Sequence, residues 1–311
     1  MIKIEHLTKK YGERYAINDV SFTVERGEIV GFLGPNGAGK TTTMSILTGY
    51  LSSTSGRAEV DGMDILEHPT EVKKKIGYLP EVPPLYVDMT VKEYLEFIYD
   101  LKCCKLGKKE HIKQICDTVK ISDAMGRVIK NLSKGYRQRV GIAGALVGNP
   151  EVIIFDEPTN GLDPKQIIDI RNLIKELGKD HTVILSTHIL SEVKSICDRI
   201  IIISNGKIVA DCKTDDLDGA VRGNRRVLVR VEGPRTSVPN AIKRINGVAS
   251  VSVAVDFGDG SCSYLVESAG DIDVRKPLFS MLAQNGWPIL SLEPVGATIE
   301  NVFLSAVGGE V

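Results

Sequence analysis

Gly34-Pro35-Asn36-Gly37-Ala38-Gly39-Lys40-Thr41, followed by Thr42, fits the pattern G-x-x-x-x-G-K-[ST]. Glycines at those positions let the backbone curl until successive N–H groups converge, which is the arrangement that phosphate oxygens require. Lys40 then supplies a cation for the outer phosphates, and the Thr41 hydroxyl an oxygen ligand for Mg²⁺. Further along, Val152-Ile153-Ile154-Phe155 runs apolar into Asp156 and Glu157. A buried strand that ends in two acids presents them at the carboxyl edge of a sheet, beside such a loop. Asp156 suits the magnesium shell, and Glu157 can orient or deprotonate a water aimed at phosphorus. The pair of motifs therefore predicts a nucleoside triphosphate with Mg²⁺. No N-K-x-D motif that would select guanine follows.

Between these motifs stands Leu132-Ser133-Lys134-Gly135-Tyr136-Arg137-Gln138-Arg139. It resembles the signature of the ABC ATPase family, whose usual form is L-S-G-G-Q, at the place before the acidic strand where that family carries it. Three more elements fall in family order: Tyr11 resembles the aromatic residue that stacks on adenine, Gly161-Leu162-Asp163 the D-loop, and His188 the switch histidine. The resemblance covers about residues 1 to 215. It implies that Tyr11 and the loop Gly34, Pro35, Asn36, Gly37, Ala38, Gly39, Lys40, Thr41 and Thr42 hold ATP. It also implies that Glu157 and His188 carry catalysis, that Thr41, Asp156 and Glu81 serve the metal, and that Ser133 and Gly135 face the ATP of an opposite subunit. Asp163 would relay the state across that interface, in a homodimer that closes around two ATP molecules and opens after hydrolysis.

Two signature positions depart from the pattern, with Lys134 for the first glycine of the pair and Tyr136 for the glutamine. Glu81, in Tyr78-Leu79-Pro80-Glu81-Val82-Pro83-Pro84-Leu85-Tyr86, stands where a glutamine is usual. That run, the single cassette, an extra C-terminal module and the ending Gly296-Ala297-Thr298-Ile299-Glu300-Asn301-Val302-Phe303-Leu304 resemble export-type members whose membrane subunits are separate chains. The resemblance implies an integral membrane permease as partner, with Pro83 to Met89 and a helical insert forming the groove for its cytoplasmic helix. The alternative is a cytosolic ABC-type ATPase acting on ribosomes or nucleic acid. Ribosome-acting members usually join two cassettes, and repair members insert a long coiled coil, whereas about 90 residues here separate the phosphate loop from the signature.

Positioning these groups calls for an α/β fold. Glu28 to Leu33 reads as a buried strand before the phosphate loop, and Thr41 to Thr48 as the helix after it. Short strands are expected at Ile2, Ile4 and Ser21 to Val24. Helical periodicity fills Thr90 to about Ala145, and Val152 to Phe155, Thr182 to Leu185 and Ile200 to Ile203 alternate with helices at Pro164 to Leu177 and Ile189 to Cys197, which predicts a largely parallel sheet. Asn205-Gly206 signals a hairpin. The expected organisation is a nucleotide-binding domain over 1–215 with a helical subdomain at about 88–148, a linker at 216–225, and a C-terminal α+β domain over 226–311 whose βαββαβ order suggests a ferredoxin-like module.

The 311 residues carry a formal charge of −1 and 42% apolar side chains, so there is a folded core and no global attraction to nucleic acid. No apolar run approaches the roughly 18 residues that cross a bilayer, and no signal-peptide core follows Met1. A cytoplasmic location is expected, peripheral on the inner face of the membrane through the permease. Lysines at 73–75 and 102–109 read as solvated helix faces, and Cys103-Cys104 as helix packing; no C-x-x-C pair is present.

Overall fold

The structure is a computed structural model that describes residues 1–214, 226–269 and 272–295. The chain divides into two units, Met1–Thr214 and Asp215–Val311.

In the first unit, β1 (Ile2–Tyr11) pairs antiparallel with β2 (Arg14–Val24). With β4 (Ser55–Val60) and β5 (Met63–Asp64) they make a four-stranded sheet in the order β2-β1-β4-β5. Both opening strands are far longer than expected. Register shifts after Ile4, Leu7 and Lys9 break the alternation of buried and exposed positions, which hides the middle of each strand from a period-two reading.

The second sheet holds β3 (Ile29–Leu33), β6 (Ile76–Leu79), β7 (Val152–Asp156), β8 (Thr182–Thr187), β9 (Arg199–Ser204) and β10 (Lys207–Lys213) in the order β10-β9-β3-β8-β7-β6. Neighbours run parallel except in the β9–β10 hairpin. Its turn is Asn205-Gly206 with φ values of 48° and 74°, the double positive geometry that this dipeptide favours. Strands β3, β7 and β8 are buried along their whole length, as apolar runs in a covered parallel sheet must be. Helix α1 (Lys40–Leu47) shares one core with both sheets: Met44 and Leu47 pack with Ile4, Val20, Phe32, Ile154 and Ile203. Helix α2 (Pro69–Lys75) leads into β6.

The helical insert consists of α3 (Val91–Leu101), α4 (Lys108–Thr118) and α5 (Lys134–Leu146), with short 3-10 turns between the last two. A capping box joins Thr90 and Glu93 at the head of α3 and satisfies two otherwise free N–H groups. Lys102 does not belong to a solvated face. Its Nζ turns inward and donates to Val147 O at 2.8 Å and Ala145 O at 3.4 Å, and burial pushes its pKa down to about 8. Cys103 and Cys104 lie beyond the end of α3, with Cys103 exposed at φ 50°, so the predicted helix packing does not occur. Helices α6 (Pro164–Leu177) and α7 (Leu190–Ile196) complete the unit.

The second unit runs β11 (Arg226–Glu232), α8 (Ser237–Ile242), β12 (Val248–Asp256), β13 (Ser261–Ser268), α9 (Arg275–Gln284), β14 (Ile289–Val295). The sheet is antiparallel in the order β12-β13-β11-β14, the interleaved arrangement that the βαββαβ pattern predicts. Val229, Val231, Tyr264 and Val266 meet Leu278 and Leu282 in a core of its own. The predicted linker 216–225 and the segment Gly296 to Leu304 lie outside the described residues. Among the described residues no helix is long and apolar enough to cross a membrane.

Candidate functional site

The carboxyl ends of β3, β7 and β8 meet at one edge of the parallel sheet, and the candidate residues gather there. After β3 the chain turns through Gly34–Gly39 into α1. Gly37 and Gly39 hold φ values of 79° and 111°, and a Cβ on Gly39 would lie 2.7 Å from Ala16 O. A Cβ on Gly34 would lie 2.4 Å from Ile203 O. Larger residues would push the loop off the sheet. The N-cap of α1 is Gly39, with no side-chain cap, so the first N–H groups of the helix remain available to an anion. Lys40 is buried, and its Nζ donates to Gly34 O at 2.8 Å and Pro35 O at 3.1 Å while standing 3.4 Å from Glu157 Oε1.

Asp156 ends β7 fully buried, with neither carboxylate oxygen in a hydrogen bond. Burial pushes its pKa up. The nearby Ser186 and Thr41 hydroxyls pull in the opposite direction without reaching bonding geometry, and the charges of Glu157 and Glu81 add to the rise. A buried, unpaired carboxylate beside an exposed threonine hydroxyl fits a hard cation. Among the described residues no cluster of three or more histidine, cysteine or acidic side chains converges, so a divalent ion here would need phosphate and water to fill its shell. Glu157 follows with φ 49°, an unusual conformation for a residue with a Cβ, fixed by Glu157 N donating to Ser186 O at 2.9 Å. His188, just past β8, places Nδ1 2.9 Å from Glu157 Oε2. Asn160 Nδ2 donates to Glu81 Oε1 at 2.9 Å and so ties the segment after β6 to the turn after β7.

These groups line a cleft of about 560 Å³: Tyr11, Asn36, Gly37, Gly39, Lys40, Thr41, Thr42, Glu81, Glu157 and His188 all contribute. Gly34, Pro35, Ala38 and Asp156 are not among its lining residues. Arg14, Ala16 and Asn160 line it as well and were not singled out in the sequence. Asn160 directly precedes the Gly161-Leu162-Asp163 motif, which was the available signal. Arg14 and Ala16 had none, because β2 was not recognised as reaching the cleft.

Ser133, Gly135 and Asp163 do not enter this cleft. They line a separate pocket of about 320 Å³ together with Arg139, Lys165 and Gln166. Ser133 is the N-cap of α5, accepting from Tyr136 N, and Asp163 caps α6 by accepting from Gln166 N at 2.9 Å. Gly135 packs on the Gln166 amide, where a Cβ would come within 2.6 Å. The two departures from the usual signature have structural work: Tyr136 OH donates to Asp123 Oδ2 at 3.0 Å, and the Lys134 ammonium covers Gly161, where a Cβ would lie 2.0 Å from Nζ.

A third cavity, an apolar groove of about 360 Å³, opens between the sheet edge and the helical insert, lined by Tyr50, Pro84, Tyr94, Ile98, Leu101 and Lys102 among others. Tyr50 is 87% exposed and Leu101 66%, an arrangement that leaves large apolar surface facing solvent. Tyr86, from the Pro83 to Met89 segment, packs edge-on against Phe97 at 5.3 Å.

Comparison with known proteins agrees with this geometry. A family profile described as ABC transporter matches residues 17–160. Bacitracin transport ATP-binding protein BcrA of Bacillus licheniformis is 32% identical over 99% of this chain and 98% of its own length. Linearmycin resistance ATP-binding protein LnrL of Bacillus subtilis is 31% identical over 99% and 98%. Among solved structures, a dimeric bacterial ABC transporter cassette aligns with TM-score 0.63 at 29% identity, covering 69% of this chain and 99% of that one. A dimeric post-hydrolysis cassette bound to ADP and Pi aligns with TM-score 0.63 at 28% identity, over 69% and 99%.

Proposed function

The chain belongs to the ABC transporter ATP-binding proteins, and on that premise we propose that it drives export through a separate membrane permease by binding and hydrolysing ATP as a homodimer. The observation that carries this reading is the division of the centre. The cleft holds Lys40, Thr41, Glu157 and His188, while Ser133 and Gly135 line a different pocket. A centre split in this way is completed when a second copy supplies its α5 N-terminus to the first copy's ATP.

In that assembly Tyr11 stacks on adenine, the N–H groups of the Gly34–Gly39 loop and Lys40 hold the phosphates, and Asp163 senses the opposing subunit. Thr41, Asp156 and, at the rim, Glu81 would hold a magnesium ion, which would supply charge neutralisation for the phosphates. Glu157 Oε2 and His188 Nδ1 share one hydrogen bond, so the imidazole fixes the carboxylate that orients and deprotonates the attacking water, and the other ring nitrogen is directed to the γ-phosphate. Release of phosphate removes the ligand that bridges the two copies, and the pair opens.

The apolar groove at Tyr50, Pro84 and Leu101 receives a cytoplasmic helix of the permease, which places the chain on the inner face of the membrane. Full-length similarity to a bacitracin transport protein and a linearmycin resistance protein supports antibiotic-class cargo and outward transport. Affinity purification from native membranes in mild detergent tests the partner: a multi-span membrane protein should come with the chain, and ribosomes or nucleic acid in its place would reassign the motor. Loss of the gene should raise sensitivity to bacitracin-type compounds; unchanged sensitivity would remove the cargo assignment.

A further inference from the structure

Glu192 on α7 is fully buried, and none of the chemistry above uses it. An isolated charge at such a position is costly unless it is paired and hydrogen-bonded, and here it is both. Oε1 accepts from Thr159 Oγ1 at 2.7 Å and lies 3.4 Å from Arg171 Nη2, while Oε2 accepts from Thr187 Oγ1 at 3.0 Å. Each partner belongs to a different part of the site. Thr159 stands in the turn between Glu157 and the Gly161-Leu162-Asp163 segment, Arg171 on the helix that Asp163 caps, and Thr187 directly before His188. Thr187 Oγ1 in turn accepts from Ile189 N at 3.1 Å, so the hydroxyl that bonds this carboxylate also holds the amide just after His188.

We propose that Glu192 is a positioning residue that couples the turn carrying Asp163 to the switch histidine. It touches no substrate atom and acts through His188. The assignment rests on the ATPase reading above. A displacement of Asp163 by an opposing subunit pulls on Thr159 and Arg171, and Glu192 passes it to the backbone that aims His188 at Glu157. The two sides of the site thus share one rigid link in place of independent loops.

Steady-state ATPase kinetics of the full chain test this with Glu192→Gln, His188→Ala and the double variant, each checked by thermal melting. Glu192→Gln should lower kcat about tenfold with KM within about twofold, and the double variant should be no slower than His188→Ala alone, since the effect is routed through that ring. A wild-type kcat in Glu192→Gln, or losses that multiply in the double variant, overturns the assignment while leaving the ATPase reading intact. Absence of ATPase activity in the wild type overturns both. Where Glu192→Gln does not fold, Thr159→Val gives the same reading: it keeps the charge pair and the Thr187 bond, and should lower kcat in the same direction and equally vanish in the His188→Ala background. A wild-type kcat there overturns the assignment.

Discussion

His188 Nδ1 and Glu157 Oε2 are 2.9 Å apart, although Glu157 follows β7 and His188 follows β8. The parallel pairing of β7 with β8 brings the two strand ends together, with Asp156 opposite Ser186. Replacing the Glu157 carboxylate by an amide keeps the size and a partner for the ring but removes the base. Glu157→Gln is expected to bind ATP and lower turnover by at least about 100-fold. It should accumulate as an ATP-dependent dimer on size-exclusion chromatography, and a monomer under saturating ATP would count against the paired mechanism.

Lys40 satisfies its ammonium on loop carbonyls and near Glu157, so its charge is held in place at the start of α1, where the proposed phosphate site lies. Lys40→Ala should abolish ATP binding measured by fluorescent-nucleotide titration. Undiminished hydrolysis would exclude the loop as the phosphate cradle.

Asp156 links stability to pH in the opposite sense to a salt-bridged acid. Burial holds its folded pKa above the unfolded value, so its unfavourable contribution sets in as pH rises through the unfolded pKa and is complete above the folded one. Asp156→Asn in the nucleotide-free chain should therefore raise Tm at neutral pH by about 2–4 °C per kcal/mol relieved, and the gap should close as pH falls into the carboxylate range. The same variant should lose hydrolysis. A lower Tm at neutral pH would mean that the carboxylate is paired in solution.

Glu81 accepts from Asn160 through one oxygen, a role that an amide oxygen can also fill. Glu81→Gln should keep basal ATPase within about threefold and change the stimulation of that activity by the reconstituted permease. Complete loss of basal activity would show that the negative charge itself is required.

Much of this architecture is legible in the sequence where local and tertiary signals agree. The helix Pro164–Leu177 is legible with its observed bounds, because Asp163 and Pro164 mark its start and apolar spacing runs to its end. The order of the second unit is equally plain, since its apolar runs are short and glycine-containing or polar turns part them, although of β11, β12 and β13 only β11 alternates cleanly between buried and exposed positions. Strand β4, Ser55–Val60, escapes a sequence pattern because Arg57 and Glu59 accompany a half-exposed ladder, and β6 because four residues carry too little pattern. The site shows the same division. The residues expected to meet phosphate announce themselves through glycine spacing and paired acids, whereas Arg14 and Glu192 owe their places to contacts between distant segments. Lys102 is the reverse case: it sits in a lysine-rich run, and only packing against the end of α5 reveals that its ammonium closes the helix carbonyls.

The Asn205-Gly206 turn reaches further than the hairpin it closes. Gly206 N donates to Ala38 O at 3.0 Å, and Asn18 N donates to Gly206 O at 2.8 Å, so the turn is clamped between the phosphate loop and β2. A Cβ on Gly206 would lie 2.9 Å from Ala16 O. Surface hairpins ordinarily tolerate epitope tags, added residues and new chain termini. This one is expected not to, since lengthening it would displace the amide that bonds Ala38 O in the loop before α1; a labelled or permuted version of the protein is better cut elsewhere.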